Sequence, residues 1–107
     1  MAYERQLQRV IARLLRHIQP EKVVVFGSHV SGAATSNSDI DLLVIWDSEL
    51  PRDQRQEIIS QALRPRRIPM DILAYTPAEV IRCRRTPGSF VAHILDTGKV
   101  LYEQKSA

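Results

Sequence analysis

The chain has one cysteine, Cys83, among its 107 residues, so no disulfide framework can form within it. His17, His29 and His93 are too scattered to make a structural zinc site with that cysteine. Long apolar runs are also missing. The N-terminal stretch "MAYERQLQRVIARLLRHIQ" carries charge every few residues, which excludes the uninterrupted apolar segment of a secretion signal or membrane span and makes the cytoplasm the expected location. Aromatic residues make up only 6% of the chain and the net charge is +3; a duplex-binding domain calls for more of both, so direct nucleic-acid binding is not expected. No repeat, low-complexity tract or linker divides the sequence, and a chain of this length is expected to be a single domain over 1–107.

With 44% hydrophobic and 25% charged residues, the composition is that of a folded globular protein. Leu7, Val10, Ile11, Leu14, Leu15 and Ile18 follow the i, i+3, i+4, i+7 rule and predict a first helix closed by Pro20. "KVVVFG" and "DIDLLVIW" predict two buried strands on either side of a polar loop. "PRDQRQEIISQALR" predicts a helix with Pro51 in its first turn and Ile58, Ile59, Ala62 and Leu63 on its inner face. "IPMDILAY" predicts a third strand. Thr76, Pro77 and Glu79 form a helix start with a hydroxyl cap, a proline at the first position and a carboxylate three residues after the cap, so a helix is expected over 77–85. Pro87 and Gly88 end it, a short helix follows through Leu95, and Gly98 precedes a last strand at "KVLYE". The fold class is α/β (α+β): a small mixed sheet with helices on one or both faces.

Arg64, Arg66, Arg67, Arg82, Arg84 and Arg85 share a segment with only Asp71 and Glu79 as acids. Such a concentration serves either as a docking surface for an anion or as a solvated face.

The chemistry centres on "FGSHVSGAATSNSDIDLLVIW". Residues two apart on a strand share a face, so Asp39 and Asp41 are neighbours at the mouth of an apolar strand, while Ile40, Leu42, Val44 and Trp46 face the other way. Trp46 is therefore expected in the core. Paired carboxylates resist desolvation unless a cation joins them, and a hard divalent ion such as magnesium suits an all-oxygen donor set. Asp71 interrupts the apolar run 68–74 in the same way, and an adjacent strand would bring it beside the first pair. Gly27 and Ser28 supply the complementary half, because a glycine turn presents backbone N–H groups and a hydroxyl to an anion such as a phosphate.

"GS", ten residues, then "DID" resembles the signature of the minimal nucleotidyltransferases of the DNA polymerase beta-like superfamily. At average residue usage this four-position spacing arises by chance in roughly one chain of this length in a thousand. The resemblance implies the nucleotidyltransferase fold and a site with two magnesium ions and ATP as substrate. In such a site Asp39 and Asp41 hold the metals, Asp71 holds one of them and serves as a general base, and Gly27 and Ser28 hold the triphosphate tail. Short members of this type are encoded with helical HEPN-domain toxins, and the nucleotidyltransferase is the antitoxin that AMPylates a tyrosine of its partner. The implied function is thus AMP transfer to a HEPN-type toxin within a hetero-oligomer. Two alternatives are a non-catalytic antitoxin that occludes its partner, and a nucleotidyltransferase acting on a small molecule, resembling those that modify aminoglycosides. The loop departs from the family's "GSRARG", with His29 and Ser31 in place of guanidinium groups that would grip phosphate bidentately.

Overall fold

A computed structural model describes residues 4–27, 39–64 and 69–104. Helix α1 spans Glu4–Leu15 and is followed by strand β1 at Lys22–Phe26 and strand β2 at Ile40–Ile45. Helix α2 covers Arg52–Ala62 and leads to strand β3 at Met70–Tyr75. Helix α3 at Pro77–Arg84, helix α4 at Phe90–Thr97 and strand β4 at Lys99–Glu103 complete the order. No helix among the described residues is long and apolar enough to cross a membrane.

The strands form a mixed sheet in the order β3-β2-β1-β4. β1 is antiparallel to β2 and to β4, while β2 and β3 run parallel, joined through α2. Alternation along β1 and β2 sends side chains to both faces, and helices cover both. Leu7 and Leu14 of α1 and Ile59 and Leu63 at α2 pack with Val23, Val25, Ile40, Leu42 and Val44 on one face. Val80 of α3 and Val91 and Ile94 of α4 pack with Val24, Leu43 and Ile45 on the other. This double cover explains the near-continuous apolar character of the two central strands, since neither face of them meets water. Trp46 packs with the α1 and α2 cluster, as its place in the alternation requires.

The helix starts bear out the sequence reading, with one shift at α2. At α3 the Glu79 N–H donates to Thr76 Oγ1 at 3.2 Å and the Thr76 N–H donates to Glu79 Oε1 at 2.9 Å, a reciprocal capping box with Pro77 at the first position. At α4 the Ala92 N–H donates to Ser89 Oγ at 3.3 Å. Pro51 stands one residue outside α2, and its carbonyl accepts the Arg55 N–H at 3.0 Å. The first helix stops at Leu15, three residues short of Ile18, through a tightened turn in which Arg16 and His17 donate to Arg13 and Leu14 carbonyls at 3.1 and 3.0 Å.

The inner face of α2 corrects the expectation for Ile58, which is 37% exposed. Arg55 takes the buried position, with Ile59, Ala62 and Leu63 at i+4, i+7 and i+8 from it. The Arg55 guanidinium is satisfied by a clamp: Nη1 donates to Glu79 Oε1 at 2.7 Å and to the Ala74 carbonyl at 3.2 Å, and Nη2 donates to Glu79 Oε2 at 3.1 Å. Arg52 approaches the same carboxylate at 3.9 Å and lies over the Tyr75 ring at 4.3 Å. One arginine thus ties α2, β3 and α3 together.

These hydrogen bonds from Arg55 hold the Glu79 carboxyl down to about 2 from its ordinary 4.5, helped by the Thr76 backbone and opposed by burial. A carboxylate depressed in the folded state stabilises above its unfolded pKa, so the contribution is complete above pH 4.5 and lost as pH falls from there toward 2. Urea unfolding across that window is expected to show this loss in the wild type. Glu79→Gln is expected to cost about 2 kcal/mol near neutral pH, because it leaves the buried guanidinium without its countercharge, and to flatten the acid dependence.

Candidate functional site

The end of β1 sets the site. Phe26 is the last residue of the strand, and Gly27 follows it with φ +79, a left-handed conformation that side-chain-bearing residues rarely adopt. A Cβ at Gly27 would collide with the Asp41 Oδ2. The glycine therefore meets two demands at once: it turns the backbone sharply and it lets that backbone lie against a carboxylate.

Register places the acids. Phe26 pairs with Asp41 across the β1–β2 ladder, and Asp41 pairs with Asp71 across the parallel β2–β3 ladder. Partners in register share a face, and strands stand about 4.8 Å apart, so the side chains of Asp41 and Asp71 issue side by side. Asp39 lies two residues before Asp41, immediately ahead of β2. All three occupy one end of the sheet, on the face that α3 and α4 cover further along. Asp39 and Asp71 are exposed and Asp41 is half-buried.

The sequence expectation that Asp71 would stand beside the first pair is borne out by this register. The side chains do not close into a cluster: among the described residues, no three His, Cys, Asp or Glu groups come together as a metal-holding set. The donor chemistry is nonetheless that of a hard divalent cation, since the acids are all oxygen donors and like charges on facing positions repel until a cation separates them.

Ser28, His29, Ser31, Arg66 and Arg67 lie outside the described residues. Arg64, Arg82, Arg84 and Arg85 are exposed, in keeping with either reading of the arginine-rich segment. His17 and His93 are exposed as well, and Cys83 is half-buried at the edge of the α3 and α4 cluster. Sequence reasoning missed Phe90, the first residue of α4. Its ring meets that of Phe26 edge to face, with centroids 5.8 Å apart and planes at 89°. The available signal was an aromatic directly after the Ser89 cap, a position that α4 does not need for its buried side.

Gly27→Ala is expected to lower stability by about 2 kcal/mol, from left-handed strain together with the collision at Asp41. Denaturation of the single variants and of the double variant with Asp41→Ala separates the two effects. Removing the carboxylate relieves the collision and leaves the strain, so the double variant should be less destabilised than the sum of the singles.

The family model described as polymerase beta nucleotidyltransferase matches residues 8–107. No match is found among curated proteins. Among solved structures, a protein of Sulfolobus solfataricus classed with the nucleotidyltransferases superposes with a TM-score of 0.61 at 21% identity, over 76% of this chain and 73% of its own. A toxin-antitoxin determined with AMP-PNP superposes with a TM-score of 0.60 at 24% identity, over 92% of this chain and 74% of its own. A mutant of the toxin-antitoxin MntA-HpeT gives a TM-score of 0.60 at 19% identity, over 92% and 73%. At these identities the structural likeness is one of fold, the same mixed sheet with flanking helices, and the match to the family model over nearly the whole chain establishes that this protein belongs to the polymerase beta nucleotidyltransferase family.

Proposed function

We propose that the chain transfers AMP from ATP to a hydroxyl, that of a tyrosine on a HEPN-type helical toxin, and so acts as the antitoxin of that partner. The observation that carries this reading is the ladder Phe26, Asp41, Asp71 with the Gly27 backbone set against Asp41. It gives the "GS" to "DID" spacing a physical purpose, a phosphate-binding turn next to paired oxygen donors. Support for a toxin as acceptor comes from the toxin-antitoxins among the structural neighbours, one of them determined with AMP-PNP.

In this reading Asp39 and Asp41 hold two magnesium ions, Asp71 shares one of them, and Gly27 and Ser28 hold the triphosphate. Bound magnesium supplies charge neutralisation of the phosphate oxygens. The acceptor oxygen attacks the α-phosphorus, the bond from that phosphorus to the bridging oxygen breaks, and pyrophosphate departs. The proton of the acceptor passes to the Asp71 carboxylate, whose exposure leaves it open to an incoming hydroxyl. Gly27 keeps the phosphate-binding turn close to Asp41, so positioning does most of the catalytic work.

The test is the intact mass of a co-purified partner after incubation with ATP and magnesium. The wild type is expected to add one or more AMP units. Asp39→Asn combined with Asp41→Asn should slow the transfer by at least about two to three decades while the partner stays bound. Chelation of magnesium should stop the reaction and its return should restart it. Full activity in the double variant would overturn the site assignment, and a partner bound but unmodified by both forms would establish an occluding antitoxin instead.

A further inference from the structure

The aromatic pair at the carboxylate end bears on how the nucleotide is held, and the inference rests on the transfer reading above. Phe26 is the register partner of Asp41 and belongs to the face that α3 and α4 cover. Phe90 leans on it, yet 58% of Phe90 stays exposed. Core packing does not account for this ring, because Val91 and Ile94 already supply the buried side of α4. The Ser89 cap fixes the start of the helix that carries it.

An edge-to-face pair leaves at least one face of Phe90 uncovered by Phe26, and the ring is largely exposed. That face lies one ring contact of 5.8 Å beyond the residue that pairs with Asp41.

We infer that Phe90 is the platform on which the base of the bound nucleoside triphosphate stacks, while the carboxylate end takes the phosphates. Stacking uses a π-face that every base possesses and reads no hydrogen-bond pattern. The protein therefore holds ATP more tightly than a triphosphate without a base.

Calorimetric titration of the full chain with ATP and with inorganic tripolyphosphate, both with magnesium, tests this in the wild type, Phe90→Ala and Phe90→Tyr. Phe90→Ala is expected to weaken ATP on the order of tenfold and to leave tripolyphosphate within about twofold, while Phe90→Tyr keeps ATP affinity. Unchanged ATP affinity in Phe90→Ala overturns the inference, including the case where only partner binding is lost, since the ring would then belong to the partner interface. Equal weakening of ATP and tripolyphosphate also overturns it, because the change would have disturbed the phosphate end. A wild type that binds tripolyphosphate as tightly as ATP removes the base platform and leaves the transfer reading standing, whereas a wild type that binds neither removes both.

Discussion

Pairing register is the constraint on which everything else in this molecule depends. β2 is locked between an antiparallel neighbour and a parallel one, and both ladders must hold for Gly27, Asp41 and Asp71 to meet. Side chains alternate with a period of two, so a slip of one residue in either ladder would carry an aspartate to the opposite face and an apolar residue out of the core. The residues that prevent such a slip are the apolar ones: Leu42 and Val44 face α1 and α2, while Leu43 and Ile45 face α3 and α4. The site is thus positioned by hydrophobic burial on both sides of the strand that bears it.

The far end of β3 is secured by different physics. There Arg55 joins the Ala74 carbonyl to Glu79, and Glu79 also caps α3. A buried guanidinium is costly to desolvate, and among the described residues its Nε has no partner, so the clamp is valuable less for net energy than for fixing where α2 and α3 meet the strand. Charge pairs order one end of β3 and carboxylates gather at the other.

Much of this was legible in the sequence, because the relevant signals are local. Period-two alternation placed Asp39 and Asp41 on one face and Trp46 on the other, and Thr76, Pro77 and Glu79 announced the start of α3 before any tertiary contact was known. The misreadings concern positions where a local pattern allows two answers. Ile58 and Ile59 are adjacent and equally apolar, and distant partners, Glu79 and the Ala74 carbonyl, favour the rotation that buries Arg55 and exposes Ile58. Phe90 reads as an ordinary apolar residue in an amphipathic helix until the sheet brings Phe26 beneath it. Whether one face or both would be covered also depended on how α3 and α4 return to the sheet, a matter of chain path that no short window contains.

The order β3-β2-β1-β4 places β2 inside the sheet and β3 at its border. Among the described residues the outer amides of β3 pair with no strand, so hydrogen exchange should run faster along that border than within β2. Asp41 thus stands on an interior strand, Asp39 just ahead of that strand, and Asp71 on a border strand. The strand that bears Asp71 is held by one ladder, where the strand that bears Asp41 is held by two.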